Sequence, residues 1–444
     1  MTADDTIFAP ATGAARAGLA VVRISGPRSR PALVALARRD TFVPRRATRV
    51  RLRDAGGEAL DDALALWFPA PASFTGEDVA ELHLHGGRAV TGAVLAALGG
   101  MAGLRPAEAG EFSRRAFRNG KLDLTQVEGL ADLIAAETAA QHRQALRQLD
   151  GELGRLYEDW RQRLIGVMAG LEAAIDFSDE DLPAEVEADS RAAMAALRED
   201  MARHLADGGR GERIRDGLSV VLMGPPNAGK SSLLNQIAGR EAAIVDAEPG
   251  TTRDIIDVAL EVAGLPVVLA DTAGLRESAG RIEQEGVRRA RRRVADADLR
   301  VAVFDGAVWP ALDDETMSRL DNETLIVVNK ADLGMLAAPV SIAGRPAMAV
   351  SALTGSGVAA LTTAIGERLR RRFGGGDVVS ATRVRHRQGV EECLGALSRA
   401  MAAAAAEVAA EEVRAAAAAL GRIVGRVDVE EVLGAVFSEF CIGK

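Results

Sequence analysis

The chain has 444 residues, of which 48% are hydrophobic and 26% charged, and this length predicts two or three globular domains. Its formal net charge of −9 argues against a protein that coats nucleic acid nonspecifically, and its two cysteines exclude a disulfide framework. No apolar run is long enough to span a bilayer and the first residues lack the order of a signal peptide, so we expect a cytoplasmic protein.

The N-terminal region, residues 1–120, mixes short strand patterns with helix-like stretches. The strand patterns are LAVVRIS, ALALWF and DVAELHLH, and a helix pattern covers residues 88–100. This mixture predicts an α+β domain. Residues 121–213 have the pattern of long, charged helices without strand signals, joined near residues 176–183.

A change of pattern at Leu218 marks a third region. The runs LSVVLM, LPVVLAD, RVAVFD, TLIVVN and PAMAVS alternate with helical segments, which predicts a mostly parallel α/β sheet within residues 214–376. After Gly374 the chain is helical again, including an alanine-rich helix from 400 to 420. We therefore expect the α/β unit to be inserted into one discontinuous helical domain, residues 121–213 and 377–444.

The segment Gly224-Pro-Pro-Asn-Ala-Gly-Lys-Ser fits the phosphate-binding pattern G-x-x-x-x-G-K-[ST]. It lies between a strand pattern and a helix pattern, which is the structural context that this motif requires. Its glycines would let backbone N–H groups face phosphate oxygens, Lys230 would reach the β and γ phosphates, and Ser231 would bind Mg²⁺. The segment predicts a P-loop.

Four further motifs follow in the order expected of a GTPase. Thr252, in Gly250–Arg253, is the candidate switch threonine, and Asp271, in Asp271–Gly274, lies at the end of a predicted strand. The Asn329–Asp332 motif selects guanine, because the Asp332 carboxylate accepts two N–H bonds from guanine and would face an acceptor in adenine. Ser351–Leu353 completes the base pocket. The chain is therefore predicted to hydrolyse GTP with a Ras-like α/β domain.

The residue that orients the attacking water is not obvious from these motifs. Where Ras-like enzymes carry a glutamine, this chain has Leu275, which has no group for that task. Arg276, Glu277 and Glu283 are the candidates that follow it. Asn227 suggests a bound monovalent cation that supplies the charge of a missing arginine finger.

Lysine usage singles out a second region of interest. Only four of the 54 basic residues are lysines, namely Lys121, Lys230, Lys330 and Lys444. Two belong to nucleotide motifs, so Lys121 and Lys444 draw attention as positions where a compact ammonium is required. In DVAELHLH, alternation places Glu81 and two histidines on one strand face, which is either a ligand site or a solvated surface.

The whole chain resembles the MnmE (TrmE) family of tRNA-modification GTPases. The matching motifs are R-I-S-G at 23–26, S-F-T-G-E-D at 73–78, H-G-G at 85–87, K-L-D-L at 121–124, G-T-T-R-D at 250–254 and C-I-G-K at 441–444. The resemblance implies a homodimer formed through the N-terminal domains. It also implies an FAD-dependent partner of the MnmG (GidA) type, with FAD on that partner only, and tRNA as the macromolecular substrate.

The resemblance further implies the chemistry at the tRNA. An aminomethyl or carboxymethylaminomethyl group would be added to C5 of the wobble uridine, U34, with its carbon from a 5-formyl- or 5,10-methylene-tetrahydrofolate. The folate pocket would use Arg23, Glu81, Lys121 and Lys444. A different function is also compatible with the GTPase motifs, namely a GTP-timed ribosome-assembly switch, which would need no folate pocket.

For the GTPase site, the resemblance implies that Mg²⁺ is held by Ser231 and Thr252. It implies that K⁺ is bound by Asn227 and Thr251 with backbone oxygens of Asp246 and Glu248, and that Glu283 orients the water. With Lys230 and Thr252, Glu283 forms the predicted catalytic set. The predicted GTP-binding residues are Asn227, Ala228, Gly229, Lys230, Ser231, Ser232, Asp246, Ala247, Glu248, Pro249, Gly250, Thr251, Thr252, Asp271, Thr272, Ala273, Gly274, Asn329, Lys330, Asp332, Ser351, Ala352 and Leu353.

Overall fold

A computed structural model describes residues 5–13, 15–176, 184–241, 257–271, 294–334, 340–374, 379–427, 433–434, 436–437, 440 and 443. The contacts divide the chain into two compact units. Unit 1 comprises residues 1–131, 148–194 and 395–444, and unit 2 comprises residues 132–147 and 195–394. The boundaries of the three sequence domains stay a prediction.

Unit 1 contains a six-stranded sheet in the order β3-β4-β5-β2-β1-β6. Its strands are β1 (Thr6–Pro10), β2 (Ala20–Ser25), β3 (Thr48–Arg53), β4 (Ala59–Phe68), β5 (Val79–Leu84) and β6 (Leu104–Pro106). All neighbours are antiparallel except β1 and β6. Ala80, Leu82 and Leu84 of β5 face the core, so Glu81 and His83 share the opposite face.

The helices before the second sheet are α1 (Ser29–Ala37), α2 (Arg88–Gly99), α3 (Glu111–Arg118), α4 (Leu124–Ala135), α5 (Ala139–Leu149), α6 (Glu152–Asp176), α7 (Ala184–Leu205) and α8 (Arg210–Asp216). Leu33 and Leu36 of α1 and Val94 and Leu98 of α2 pack on the core face of the unit 1 sheet. These contacts bury the apolar face of each amphipathic helix.

Unit 2 contains a second six-stranded sheet, in the order β14-β11-β10-β7-β9-β8. Its strands are β7 (Leu218–Met223), β8 (Asp257–Val262), β9 (Leu265–Asp271), β10 (Leu299–Asp305), β11 (Leu325–Asn329) and β14 (Met348–Ala349); β12 (Ser341–Ile342) and β13 (Arg345–Pro346) form a separate pair. Only β8 runs antiparallel among the six described strands. The predicted α/β sheet is therefore confirmed.

The remaining helices are α9 (Lys230–Arg240), α10 (Asp314–Met317), α11 (Val358–Phe373), α12 (Val384–Ala402) and α13 (Ala406–Val424). Helix α13 packs along α6 in unit 1. The alanine-rich stretch 400–420 is helical as predicted, with a break at residues 403–405 between α12, which ends at Ala402, and α13, which begins at Ala406. A run of alanines has uniform helix propensity, so packing sets the break. Among the described helices, none is long and apolar enough to cross a membrane.

Candidate functional site

The loop from Gly224 to Gly229 connects β7 to α9 at the carboxyl edge of the parallel strands. Gly224 has φ +155°, and a Cβ there would fall 2.1 Å from the Val303 carbonyl oxygen on β10. A Cβ on Gly229, with φ +85°, would fall 2.2 Å from Nδ2 of Asn329. The loop thus lies against two neighbouring strands, and only glycine fits at these two positions.

Lys230 and Ser231 begin α9, at the end of this loop. Lys230 is 4% exposed, and its Nζ donates to the carbonyl oxygens of Gly224 (3.0 Å) and Pro225 (2.8 Å). The Ser231 hydroxyl donates to Oδ2 of Asp271, the last residue of β9. The loop therefore surrounds an ammonium and presents a hydroxyl–carboxylate pair beside the first turn of a helix, as a phosphate–metal site requires.

The hydroxyl–carboxylate pair also tests whether the residues fit Mg²⁺. Both groups offer oxygen, the donor that Mg²⁺ prefers, and Mg²⁺ usually keeps waters and substrate phosphates as its other ligands. No group of three or more acidic, histidine or cysteine side chains that could hold a metal occurs among the described residues. Ser231 and Asp271 therefore fit a cation shared with a bound phosphate.

Asn329 connects the phosphate loop to the predicted base pocket. Its Nδ2 donates to the Ala228 carbonyl (2.8 Å), and its Oδ1 accepts from the Ala352 N–H (2.9 Å). Nearby, the Ser351 hydroxyl donates to Oδ1 of Asp332 at 2.5 Å. Oδ2 of Asp332 has no hydrogen-bond partner within the described part of the chain, and Leu353 is exposed. The Asp332 carboxylate is thus oriented with one oxygen available to a ligand.

Lys330 has a partner that the motifs did not indicate. Its Nζ lies 2.7 Å from Oδ2 of Asp305, which ends β10 directly opposite Asn329 of β11. Burial on its own would raise the pKa of Asp305, but the Lys330 ammonium and the Ala307 N–H together lower it. The strand pattern RVAVFD, which ends at this aspartate, was the signal that could have identified it.

Several predicted site residues lie outside the described residues. They are Asp246, Ala247, Glu248, Pro249, Gly250, Thr251, Thr252, Thr272, Ala273, Gly274, Glu283 and Lys444. The candidates Leu275, Arg276 and Glu277 lie outside as well. Asn227, the predicted K⁺ ligand of the P-loop, is described: it is exposed and has φ +63°.

A second site lies in unit 1, on the face of the sheet opposite the α1–α2 core. Arg23 of β2 and Glu81 of β5 are cross-strand partners, and Nε and Nη2 of Arg23 both lie 2.9 Å from Oε1 of Glu81. The guanidinium also lies over the rings of Phe74 (5.2 Å) and Phe112 (5.8 Å). The structure therefore brings two predicted folate residues into direct contact, and the guanidinium of this pair lies over two aromatic rings.

Lys121 lies against the segment that carries Phe74. Its Nζ donates to the Pro71 carbonyl (3.2 Å), and a Cβ on Gly76 would lie 3.3 Å from its Cγ. Gly443, the residue before Lys444, lies against the end of β1, where a Cβ would fall 1.8 Å from the Pro10 carbonyl oxygen. In the sheet, β1 is the neighbour of the strand that carries Arg23.

A network of ion pairs joins β6 and α3 to Glu77, which lies just before β5. Arg105 donates to Asp5 (2.6 Å) and to both oxygens of buried Glu111 (2.6 and 2.8 Å). Arg115 donates to Asp5 (2.7 Å) and to Glu77 (3.1 Å). Burial alone would raise the pKa of Asp5 and Glu111, but the hydrogen bonds of the guanidinium groups leave both below their ordinary values. Apart from Glu77, no motif had indicated these residues.

The network continues through Glu77, a member of the S-F-T-G-E-D motif, to Ser25 on the strand that carries Arg23. Oε2 of Glu77 accepts from the Ser25 hydroxyl (2.7 Å), and Ser25 also contacts the Thr75 hydroxyl at 2.7 Å. Ser25 lies two residues beyond Arg23 on β2. The motif is thereby fixed to the strand that carries Arg23.

Comparison with known proteins identifies relatives along nearly the whole length. The family model described as MnmE helical domain matches residues 124–441, and that described as GTP-binding protein TrmE N-terminus matches residues 6–121. The chain is 58% identical to the tRNA modification GTPase MnmE of Paramagnetospirillum magneticum, over 99% of this chain and 100% of the relative. It is 57% identical to the protein of that name from Rhodospirillum rubrum, over 99% of each chain.

Among solved structures, the chain is similar to the G domain of the T. maritima FeoB iron transporter. The identity is 24%, the TM-score is 0.25, and the likeness covers 34% of this chain and 98% of that chain. A score this low has no bearing on function.

Proposed function

The chain belongs to the MnmE family of tRNA modification GTPases, and from this premise we propose that it couples GTP hydrolysis to a modification of the wobble uridine of tRNA. The product is an aminomethyl or carboxymethylaminomethyl group at C5 of U34. Its carbon comes from a tetrahydrofolate, and the FAD-dependent partner supplies the redox chemistry. We also propose a cytoplasmic homodimer, with domains at residues 1–120, 214–376, and 121–213 with 377–444.

The observation that carries the GTPase proposal is the common edge at which Lys230, Ser231 and Asp271 meet. Lys230 is held by two carbonyl oxygens of the loop, and we propose that phosphate oxygens compete for it when GTP binds. Ser231 and Asp271 would hold Mg²⁺, which neutralises charge on the β and γ phosphates. Thr252 and Glu283 keep their proposed roles as switch residue and water-orienting base.

Guanine selection is assigned to Asp332. Ser351 holds Oδ1, so Oδ2 is the oxygen turned to the N–H groups of the base. Asn329 acts indirectly, since it joins the phosphate loop at Ala228 to the base loop at Ala352 and fixes the distance between them. Asn227, whose side chain is exposed in the loop, is the proposed K⁺ ligand.

The folate proposal is supported by the Arg23–Glu81 pair. The Glu81 carboxylate, which is paired with a guanidinium that lies over aromatic rings, suits the N–H edge of a pterin. The cations suit carbonyl or carboxylate oxygens. Lys121 lies against the same 71–76 segment, and Gly443 lies against the end of the neighbouring strand. These contacts support a site shared by Arg23, Glu81, Lys121 and Lys444.

The test is mass spectrometry of the wobble uridines in tRNA from cells that lack this protein. We expect the C5 modification to be absent, and to return with the wild-type chain but not with Glu81→Gln. Normal tRNA combined with defective ribosome assembly would refute the proposal and support a GTP-timed assembly switch. The matched control is Asp62→Asn, which alters an exposed carboxylate on the same sheet.

A further inference from the structure

Asp305, the last residue of β10, belongs to none of the nucleotide motifs. It is the parallel partner of Asn329 at the end of β11, and its side chain is 13% exposed. Both of its carboxylate oxygens are engaged. Oδ1 accepts from the Ala307 N–H at 2.9 Å, and Oδ2 accepts from Nζ of Lys330 at 2.7 Å. Asp305 is therefore bound to its own loop on one side and to a motif lysine on the other.

The loop that follows Asp305 lies against the backbone of the motif. A Cβ on Gly306 would fall 2.5 Å from the Asn329 carbonyl oxygen and 3.5 Å from the Lys330 carbonyl oxygen. A larger residue would push the two loops apart, so glycine is required for this approach. The close packing keeps the Asp305 carboxylate within reach of the Lys330 ammonium.

The backbone of Lys330 is held in place independently of its side chain. Its φ of +64° lies in the left-handed region, which residues with a side chain rarely adopt. The next N–H, of Ala331, donates to the Val350 carbonyl at 2.9 Å, and the Leu333 N–H donates to the Lys330 carbonyl at 3.1 Å. The freedom that remains at this residue is that of its four-carbon stem, and the ion pair with Asp305 restricts it.

Lys330 also lies beside the path of a bound nucleotide. It follows Asn329, which donates to the phosphate loop at Ala228 (2.8 Å), and it precedes Asp332 of the base pocket. A nucleotide that extends from Asp332 to the phosphate loop passes this residue. The Lys330 side chain is 34% exposed, and Asp305 accepts one of its three N–H groups, so two can reach a ligand.

Ordering a lysine side chain when a ligand binds costs much rotamer entropy, and a side chain that is ordered beforehand avoids this cost. We propose that Asp305 is a positioning residue of the nucleotide site, which orders Lys330 before GTP or GDP binds and so raises the affinity for both. This inference rests on the base site proposed above. Asp305 acts through Lys330 and leaves the choice of base to Asp332.

The experiment is a double-mutant cycle on the full chain, with GDP and the β,γ-imido analogue of GTP as ligands in titration calorimetry. We expect Asp305→Asn to bind both about tenfold more weakly, the effect of about one hydrogen bond, because its amide turns a donor towards the ammonium. Lys330→Met keeps an unbranched stem and removes the ammonium. In that background, Asp305→Asn should cause no further loss. The preference of Asp305→Asn for GTP over xanthosine triphosphate should equal that of wild type.

The matched control is Asp321→Asn, in the same unit. The Asp321 carboxylate also binds a cation and a backbone N–H, from Arg300 at 2.6 Å and Thr324 at 2.9 Å. Asp321 precedes β11, however, whereas Asn329 ends that strand. We expect this variant to bind both nucleotides like wild type, even where its thermal midpoint is lower.

The other outcomes overturn the inference in distinguishable ways. Wild-type affinity in Asp305→Asn would do so and leave the base site standing, as would an equal loss with and without the Lys330 ammonium. A changed base preference would mean that Asp305 acts on the base pocket. Wild-type affinity in Lys330→Met would remove Lys330 from the proposed base site as well. Should Asp305→Asn fail to fold, Asp305→Glu takes its place in the cycle, and a loss independent of Lys330 would again overturn the inference.

Discussion

Arg23 directs both Nε and Nη2 to the same oxygen of Glu81, Oε1, at 2.9 Å across the paired strands β2 and β5. The second oxygen, Oε2, lies outside this pair and 3.7 Å from Nε2 of His83. A carboxylate that is bound through one oxygen is held in place, and its other oxygen still accepts hydrogen bonds. The pair is therefore a preorganised acceptor for a ligand with N–H donors.

The first prediction follows for Glu81→Gln. An amide keeps the shape of the side chain but turns one acceptor into a donor, which would then face the N–H groups of the ligand. We expect a loss of about 10- to 100-fold in affinity for 5-formyl-tetrahydrofolate, the effect of one charged hydrogen bond. Titration calorimetry measures it. Asp62→Asn removes an exposed carboxylate on β4 of the same sheet and should leave the affinity unchanged.

The second prediction concerns base selection by Asp332. Replacing its carboxylate with an amide, Asp332→Asn, presents a donor where guanine also has donors. We expect at least a 100-fold loss in GTP affinity and a gain for xanthosine triphosphate, whose base has a carbonyl at that position. Competition between the two fluorescent nucleotides measures the exchange. Glu323→Gln, an exposed carboxylate of the same unit, should change neither affinity.

The third prediction isolates the cation at Asn227. This residue has φ +63°, so an alanine there would strain the backbone, whereas Asn227→Gly removes the side-chain oxygen and keeps the conformation. We expect wild-type GTP hydrolysis to be faster in K⁺ than in Na⁺, and the variant to hydrolyse at the same slow rate in both. Nucleotide affinity should stay near wild type. Equal wild-type rates in the two salts would refute the cation role.

Several residues of the GTPase motifs that the structure describes lie close together, because these motifs follow strand ends. Parallel strands bring their carboxyl ends to one edge, so residues far apart in sequence, such as Ser231 and Asp271, meet there. The bond between Asn329 and Ala228 was not predictable in this way. It depends on the close approach of two loops, which the sheet order determines and no local pattern records.

In unit 1 the sequence indicated single residues but not their partners. Alternation correctly placed Glu81 and His83 on one face of β5, whereas the pairing of Glu81 with Arg23 depends on strand register. The strands β1 and β3 were not predicted at all, because short strands with arginines or a proline have weak patterns. The ion pairs around Glu111 could not be predicted from the sequence for a related reason. A buried charge is recognised only when its partners are known.

The fourth prediction is acid lability of unit 1. Asp5 and Glu111 have folded-state pKa values below the ordinary 3.8 and 4.5, since guanidinium hydrogen bonds outweigh the effect of burial. A group of this kind stabilises the fold fully above its unfolded pKa, and the contribution is lost as pH falls through the folded pKa. We therefore expect the free energy of unfolding to fall steadily once the pH drops below about 4.5.

Urea unfolding at several pH values measures this dependence, followed by the fluorescence of Trp67 in a Trp160→Phe/Trp309→Phe chain. Glu111→Gln should cost about 3 kcal/mol at neutral pH, because it leaves Arg105 without its buried partner. The acid slope should also be shallower in that variant. Glu58→Gln, an exposed carboxyl in the same unit, should match the parent, and a Glu111→Gln chain of parental slope would contradict the assignment.

The fifth prediction concerns the buried thiol of Cys393 on α12. Burial raises its pKa to about 12, so roughly 0.01% of it is thiolate at pH 8, and the reagent also lacks access. In a Cys441→Ser chain, where Cys393 is the remaining cysteine, we expect no reaction with a thiol-specific chromogenic disulfide over an hour in native buffer. One equivalent should react at once in denaturant. Rapid native labelling would mean that α12 opens locally, because a permanently buried thiol reacts only through such opening.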